Sequence, residues 1–257
     1  MPHATTEGIL AGVGVDDVVQ VDGPMTGRVV VVTGAAGAIG HAVMARFSAD
    51  GDRCVGLDLR SGENIVECDI SDETQVREAF LSIEADHGAP TVLINNGGMT
   101  GSGGVEQESP EQWRRILDVN LTSAYLCCRE AVPWMRTAGG GKIVNMASVN
   151  GRFGGSALSG PAYAVSKGGL ITLSRFLARE HAEDNIQVNA VAPGPHDTPM
   201  WDALDEERKV GILAMVPSTH APGDPRRLAG LVQFLCTEDA DYITGATIDV
   251  NGGQWMG

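Results

Sequence analysis

A tyrosine and a lysine lie four residues apart in the stretch Tyr163-Ala-Val-Ser-Lys167. On a helix this spacing places both side chains on one face, about one turn apart. A fixed cation near a phenol favours the phenolate, so Lys167 could lower the pKa of Tyr163 from its usual value of about 10 and let it move a proton. An ordinary pair on a helix surface has the same spacing. The chemical interpretation therefore depends on the surrounding elements.

A glycine-rich stretch, Thr33-Gly-Ala-Ala-Gly-Ala-Ile-Gly40, follows an apolar run and precedes a helical one. Small residues let the backbone approach a pyrophosphate, and the free N–H groups and dipole of the following helix attract that anion. A purely structural turn is the alternative for such a stretch taken alone. No lysine follows Gly40, which excludes the phosphate loop of nucleoside triphosphatases.

Short apolar runs alternate with helical periods from Arg28 onward. Strands that are apolar throughout and alternate with helices are typical of a parallel sheet covered on both faces. The pattern predicts an α/β fold of the Rossmann type, a doubly wound parallel sheet in three layers, as one domain of residues 27–257. The predicted strands are 29–33, 54–58, 91–95, 142–147, 186–192 and about 247–250. The first predicted helix follows the glycine-rich stretch and ends at residue 47. The other predicted helices span 74–85, 113–135, 162–180 and 228–235.

The chain has 257 residues and a net charge of -15, which argues against partners such as nucleic acids and anionic membranes. No apolar run approaches the roughly 20 residues that span a bilayer. The first 26 residues lack the basic start and apolar run of a signal peptide. We therefore expect a cytoplasmic protein in which residues 1–26 form a peripheral arm.

The five cysteines lie in apolar runs without Cys-x-x-Cys spacing, which indicates reduced core residues. No His-Glu-x-x-His motif and no cluster of His and Cys occurs in the sequence, so we predict no metal site.

Together these motifs resemble the short-chain dehydrogenase/reductase family, in its single-domain branch, from about residue 28 to the end. The family's Thr-Gly-x-x-x-Gly-x-Gly turn matches at Thr33, Gly34 and Gly40, with Ala38 in place of the middle glycine. Its Asn-Asn-Ala-Gly motif corresponds to the stretch 95–98, with Gly97 in place of alanine.

The resemblance implies a catalytic set of Asn120, Ser148, Tyr163 and Lys167. In such a set Ser148 and Tyr163 hold the substrate oxygen and Tyr163 transfers its proton. Lys167 lowers the tyrosine pKa and binds the nicotinamide ribose, while Asn120 holds a water of the proton relay. Taken alone, Ser148 also fits a turn at a strand end, and Asn120 also fits a bend in a helix.

The cofactor-binding residues that the resemblance implies lie at the carboxyl ends of several strands. They are Gly34, Gly37, Ile39, Asp58, Leu59, Asp69, Ile70, Asn96, Gly97, Tyr163, Lys167, Pro193, Gly194, His196 and Thr198. Asp58, roughly 20 residues past the glycine turn, predicts NAD, because a carboxylate accepts hydrogen bonds from ribose hydroxyls and repels a 2′-phosphate. Arg60 is the feature that argues for NADP instead, since its side chain could turn toward a 2′-phosphate. His196 could also be an acid–base group, but the family position contributes its backbone.

Two segments are predicted to shape the substrate pocket. Residues 198–217 mix apolar and charged side chains and resemble the family's mobile lid, with a plain surface helix as the alternative. The loop 149–162 is about two residues longer than usual in the family. The residues predicted to line the pocket are Met99, Asn150, Phe153 and Leu158. Their side chains indicate a moderately apolar secondary alcohol or ketone as the substrate.

These features predict an NAD-dependent oxidoreductase that transfers a hydride between nicotinamide and a secondary alcohol or ketone. One alternative is an NADPH-dependent β-ketoacyl carrier-protein reductase, which the stretches 216–217, 223–225, 242–245 and 250–253 resemble. Those reductases present basic residues to an acidic carrier protein, which an acidic chain with Asp58 fits poorly. Another alternative is a non-catalytic dinucleotide sensor, disfavoured because the whole catalytic set is present. The helix 162–180 is apolar nearly all round, which predicts a homo-oligomer, and the resemblance implies a homotetramer.

Overall fold

A computed structural model describes residues 27–257, apart from the side chain of Met200. The predicted arm of residues 1–26 lies outside the described residues. Between residues 27 and 257 the strands are β1 (Val29–Thr33), β2 (Arg53–Asp58), β3 (Ile65–Glu67), β4 (Pro90–Asn95), β5 (Gly141–Met146), β6 (Ile186–Pro193) and β7 (Thr247–Val250). They form one parallel sheet in the order β3-β2-β1-β4-β5-β6-β7. The order reverses between β1 and β4, and such a reversal opens a crevice at the carboxyl ends of the strands.

Helices cover both faces of this sheet. Over the same residues they are α1 (Ala38–Ala49), α2 (Glu73–His87), α3 (Pro110–Leu117), α4 (Ser123–Thr137), α5 (Asn150–Phe153), α6 (Pro161–Glu180), α7 (Pro199–Asp202), α8 (Glu206–Ala214) and α9 (Pro225–Phe234), with a π-helical turn at Asp118–Thr122 and a 3-10 turn at Glu238–Ala240.

The strand β1 shows why three layers form. Successive side chains of a strand point to opposite faces. Val29 and Val31 are buried with residues of α2, α4 and α6, whereas Val30 and Val32 are buried with residues of α1 and α9. The predicted doubly wound α/β fold is confirmed.

Two local predictions differ from the structure. The single helix predicted for residues 113–135 is α3 and α4 separated by the π-helical turn, in which the buried Asn120 side chain bonds to the backbone of Met99. The strand β3 was not predicted, because its three residues are too few for a period-two pattern to show.

The described part of the chain contains no helix long and apolar enough to cross a membrane. Over the same part, no group of three or more His, Cys, Asp or Glu side chains is arranged to hold a metal ion. All five cysteines are buried and free. The predicted lid segment consists of the short helices α7 and α8 and their connections.

Candidate active site

The glycine-rich turn between β1 and α1 packs so closely that two of its glycines have no room for a side chain. A Cβ atom on Gly34, whose φ is +65°, would lie 2.8 Å from the Cα atom of Gly97, and one on Gly40 would lie 2.2 Å from the Gly34 carbonyl oxygen. Gly37 is the N-cap of α1 and provides no side-chain cap. The first N–H groups of α1 can therefore bind an anion.

Asp58 ends β2 and lies against this turn. Its carboxylate accepts hydrogen bonds from the N–H groups of Ala36 at 3.0 Å and Arg60 at 3.3 Å. The Arg60 side chain is 75% exposed and its Nε lies 3.8 Å from the Asp58 carboxylate. The neighbouring Leu59 side chain is exposed. Asp58 is thus fixed beside the turn, with lone pairs left for hydroxyl donors.

Asn96 and Thr33 form hydrogen bonds that hold the glycine-rich turn in place. The Asn96 amide donates to the carbonyls of Thr33 at 3.0 Å and Gly34 at 3.2 Å, and the Thr33 hydroxyl accepts from the N–H groups of Asn96 and Gly97. A Cβ atom on Gly97 would lie 2.4 Å from Cδ1 of Ile70. Ile70 therefore fills the space that the family's alanine would need, which explains the glycine here. Sequence reasoning missed the bracing role of Thr33.

Two other predicted cofactor residues are held by contacts within the protein. The Asp69 carboxylate accepts hydrogen bonds from the N–H and hydroxyl groups of Ser71 and from Arg115 at 3.3 Å. Ile39, in the first turn of α1, packs against the core on that face. Both side chains are therefore fixed by neighbouring protein groups.

The tyrosine–lysine pair lies near the start of α6, facing the ends of β4 and β5. Lys167 is 5% exposed, and its ammonium donates to the carbonyl of Met146 at 2.7 Å. Its Nζ atom lies 5.8 Å from the centroid of the Tyr163 ring. Ser148, also buried, follows β5 and its hydroxyl is hydrogen-bonded to Tyr163. The structure thus brings Ser148, Tyr163 and Lys167 together.

Burial controls the protonation of this pair. It raises the pKa of Tyr163, and the hydrogen bond from Ser148 only partly opposes that rise. It also lowers the pKa of Lys167 from 10.5 to about 8. The expected lowering of the Tyr163 pKa by Lys167 is therefore wrong for the protein groups alone, since loss of water around the phenol raises that pKa.

Asn120 links the loop after β4 to α6. Its side chain accepts from the N–H of Met99 at 2.8 Å and donates to the Met99 carbonyl at 2.9 Å and the Ser166 hydroxyl at 3.0 Å. A Cβ atom on Gly98 would lie 3.2 Å from the Asn120 oxygen and 3.4 Å from Nζ of Lys167. Asn120 and Lys167 therefore border the same glycine, and the Asn120 amide uses both donors on protein atoms.

His196 packs inside the loop that follows β6. Its Nδ1 lies 3.0 Å from the Gly194 carbonyl, and a Cβ atom on Gly223 would lie 2.7 Å from its Nε2. Burial lowers the pKa of His196. Gly194 itself lies against Asn251, since a Cβ atom there would be 2.9 Å from the Asn251 Cα. These contacts favour a packing role for the His196 ring.

Pro193 and Thr198 join this loop to its neighbours. The Pro193 carbonyl accepts from the N–H of Val149 at 2.9 Å, which ties the loops after β5 and β6 together. Thr198 is the N-cap of α7, and its hydroxyl accepts from the N–H of Trp201 at 3.3 Å. The predicted lid therefore begins at a residue that is also in the predicted cofactor set.

An open cleft of about 700 Å³ separates the loop after α5 from α8. Leu158 lies on one side, and Ile212 and Met215 lie on the other. Two acidic residues, Asp205 and Glu207, also line it. Met99, Asn150 and Phe153, which were predicted as lining residues with Leu158, are not among the residues that line this cleft.

The helix α5 is held by the C-terminal segment. The Arg152 guanidinium donates to the Asp249 carboxylate at 3.0 Å and to the Gly257 carbonyl at 2.9 Å. The Phe153 ring lies 6.5 Å from the Trp255 ring, centroid to centroid. Partners so distant in sequence give no periodic signal, so sequence reasoning missed this support.

Comparison with known proteins identifies the family. Residues 34–254 match a family model described as enoyl-(acyl carrier protein) reductase. The chain belongs to the short-chain dehydrogenase/reductase family.

Similar family members include two curated reductases and one solved structure. The 3-oxoacyl-(acyl-carrier-protein) reductase MabA of Mycobacterium tuberculosis is 37% identical over 239 residues, which cover 91% of this chain and 95% of that protein. The corresponding FabG of Escherichia coli is 33% identical over 244 residues, covering 90% and 98%. The ligand-free aldohexose dehydrogenase of Thermoplasma acidophilum superposes with a TM-score of 0.83 at 32% identity, covering 89% of this chain and 94% of that one.

Short-chain dehydrogenases/reductases are oxidoreductases that use a nicotinamide cofactor, and the residues of this chain fit such a group. The backbone around Gly34 and Gly40 is close-packed. The N-cap of α1 is Gly37, so no side chain at that position accepts from the first N–H groups of the helix. Asp58 places a carboxylate beside the same turn. This combination suits a pyrophosphate and an adjacent ribose.

Proposed function

We propose that the chain is an NAD-dependent oxidoreductase that interconverts a secondary alcohol and a ketone. The observation that carries the proposal is the grouping of Tyr163, Ser148, Lys167 and Asn120 beside the glycine-rich turn. Tyr163 is hydrogen-bonded to Ser148, while Lys167 and Asn120 border Gly98. The nicotinamide ring supplies or accepts the hydride when it is bound.

The proton step belongs to Tyr163. Its raised pKa keeps the phenol protonated at neutral pH, so it can donate to the oxygen of a ketone while Ser148 donates to the same oxygen. In the oxidation direction Tyr163 takes the proton from the alcohol. Lys167 has a pKa of about 8 and uses one donor on the Met146 carbonyl, which leaves N–H donors for the nicotinamide ribose hydroxyls. Asn120 fixes the loop after β4 and its oxygen retains a lone pair for a water.

The preference for NAD rests on Asp58. A 2′-phosphate would place negative charge against a carboxylate that two backbone N–H groups already hold in position. We expect wild-type kcat/KM to favour NAD over NADP by at least about tenfold, roughly 1.4 kcal/mol. Asp58→Ala should erode that ratio, whereas the control Arg60→Ala should preserve it. Equal use of the two cofactors by the wild type would overturn the assignment.

A second candidate is NADPH-dependent reduction of a 3-oxoacyl group on a carrier protein. The names of the MabA and FabG relatives favour it over the main proposal. The net charge of -15 disfavours docking of an acidic carrier protein, and the cleft itself is lined by two acidic residues, Asp205 and Glu207, and one basic residue, Arg208.

One substrate panel separates these candidates. It contains secondary alcohols and an aldohexose with NAD, and a 3-oxoacyl thioester with NADPH, each followed by the absorbance of the reduced nicotinamide. A higher kcat/KM for the thioester with NADPH would establish the second candidate. Dinucleotide binding without turnover of any substrate would favour the non-catalytic sensor.

We also propose that residues 27–257 act as one catalytic domain with a lid at 198–217, in a cytoplasmic homotetramer. Val165 and Phe176 on α6 are 51% and 60% exposed, and Tyr125 on α4 is 49% exposed. Large apolar side chains on adjacent helices are typical of a surface that a second subunit covers. Sedimentation of a 26.9 kDa monomer at micromolar concentration would contradict the oligomer.

A further inference from the structure

Glu108 is a half-buried carboxylate that none of the roles above uses. It precedes Ser109, the N-cap of α3, and lies 54 residues before Ala162 in the sequence. Its Oε2 accepts a hydrogen bond from the Ala162 N–H at 2.9 Å. Ala162 is the second residue of α6 and the neighbour of Tyr163. A segment remote in sequence therefore contacts the start of the helix that carries the tyrosine–lysine pair.

The start of α6 needs such an acceptor. The first N–H groups of a helix have no partners within it, and a side chain at the N-cap usually accepts from one of them. Here the N-cap is Gly160, which has no side chain, and Pro161 has no N–H to donate. Glu108 supplies the acceptor instead, with a negative charge that suits the positive end of the helix dipole.

The second carboxylate oxygen lies close to the backbone of two glycines. Oε1 of Glu108 is buried and has no hydrogen-bond partner among the described residues. A Cβ atom would lie 2.7 Å from this oxygen on Gly101 and 2.8 Å from it on Gly160. Gly101 also donates to the Ser159 carbonyl at 3.0 Å. The carboxylate thus fills a notch where the loop after β4, the loop after α5 and the start of α6 meet.

We propose that Glu108 is a positioning residue that holds the first turn of α6, and with it Tyr163, in register with Ser148. The inference rests on the proposed oxidoreductase function. The Glu108 carboxylate accepts from the Ala162 N–H and so fixes the backbone one residue before the tyrosine. Small displacements of a proton-transferring group lower the rate steeply. The role requires the acceptor oxygen, so an amide at this position should serve and an apolar side chain should not.

Two variants and a control test this role. Glu108→Gln keeps an oxygen that can accept from Ala162, and Glu108→Met keeps the approximate length but removes both oxygens. The control Glu111→Ala changes an exposed carboxylate in the first turn of α3. Two readouts are compared: steady-state kcat and cofactor KM, and backbone amide hydrogen exchange over residues 160–167, which needs no substrate.

We expect Glu108→Met to lower kcat by about tenfold to a hundredfold with cofactor KM within about twofold, and to speed exchange of the Ala162 amide at least tenfold. Glu108→Gln and Glu111→Ala should match the wild type in both readouts, and the pH dependence of kcat should stay unchanged in Glu108→Gln. If Glu108→Met does not fold, Glu108→Ala is the second variant without an acceptor.

Three results would overturn the inference: wild-type kcat in the acceptor-free variant, unchanged exchange at Ala162, or an equal loss of kcat in Glu108→Gln. Failure of the proposed function gives a different result. A wild-type chain that turns over no substrate in the panel contradicts the oxidoreductase proposal, and the exchange measurement then decides by itself whether Glu108 holds the start of α6.

Discussion

The proposed cofactor half and the proposed substrate half of the site are held in different ways. Around β1, β2 and β4 the backbone itself is close-packed: a Cβ atom added to Gly34, Gly40 or Gly97 would lie 2.8 Å or less from a neighbouring atom. Around α8 the chain is more open, with a cleft of about 700 Å³ and Gly211, which has nothing within 4 Å of an added Cβ. Close packing in this region is confined to the side that faces α6, where a Cβ atom on Gly151 would lie 2.6 Å from the Lys167 backbone.

This difference shows which parts of the site tolerate change. A turn packed this closely allows few side chains. A wall that must admit a particular substrate has no such constraint on its backbone. We therefore expect substitutions in the two halves to differ in kind, with the cofactor half sensitive to added atoms and the substrate half sensitive to lost functional groups.

The largest effect is expected at Tyr163, where only a functional group is lost. Tyr163→Phe should lower kcat by about 10²–10⁴-fold, because the ring still packs but cannot transfer a proton. The dissociation constant for NAD, measured by titration, should stay within about twofold of the wild type. Retention of more than half of the wild-type kcat would show that Tyr163 is not the proton donor.

The cofactor half should respond instead to one added methyl group. Gly97→Ala places a Cβ atom 2.4 Å from Cδ1 of Ile70, and such overpacking should lower the free energy of unfolding by up to about 3 kcal/mol. Ile70→Val removes Cδ1, so the double variant should recover most of that loss in a urea denaturation series. No recovery in the double variant would mean that another contact, such as the one with Thr33, excludes the alanine.

Lys167 lies between the halves, and its burial predicts a pH effect. Its pKa of about 8 in the folded chain is below the ordinary 10.5, so folding is penalised while the ammonium is charged, most fully below pH 8. The penalty fades as pH rises from 8 toward 10.5, because the unfolded chain then binds more protons than the folded one. Relative to Lys167→Met, the wild type should gain about 2 kcal/mol of unfolding free energy between pH 7 and 10. A pH-independent difference between the two proteins would contradict the lowered pKa.

The smallest effect is expected in the lid. Gly211 lies inside α8, is exposed, and has nothing within 4 Å of an added Cβ. Gly211→Ala should stabilise the helix by about 0.5–1 kcal/mol, because alanine loses less backbone entropy than glycine. The thermal midpoint should not fall, and kcat should stay within about twofold. A clear drop in the midpoint would mean that the substrate half is packed more tightly than the structure shows.

The sequence predicted the sheet better than the helices around the site. The β-branched runs at Val29–Thr33 and Thr247–Val250 form strands with the predicted bounds, and the apolar run of Val29–Thr33 is buried throughout. The π-helical turn at Asp118–Thr122 could not be predicted, since it depends on the bonds of Asn120 to Met99 in another segment. Periodicity carries no information about such tertiary contacts.

The candidate site shows a similar division. Spacing placed Tyr163 and Lys167 on one helix face, but it did not reveal the depth of burial that raises the tyrosine pKa. Phe153 was predicted to line the substrate pocket, whereas its ring packs near Trp255, about a hundred residues later. The roles of the individual residues in catalysis and cofactor binding stay predictions that the variants above address.

The support of α5 by the C-terminal segment also matters for how the protein is handled in the laboratory. Arg152 is bonded to the Gly257 carbonyl, and Phe153 lies beside Trp255. An affinity tag or fluorescent fusion joined at Gly257 would lie next to the contacts that hold α5. Comparing kinetic constants before and after removal of such a tag would show whether the position of α5 matters for turnover.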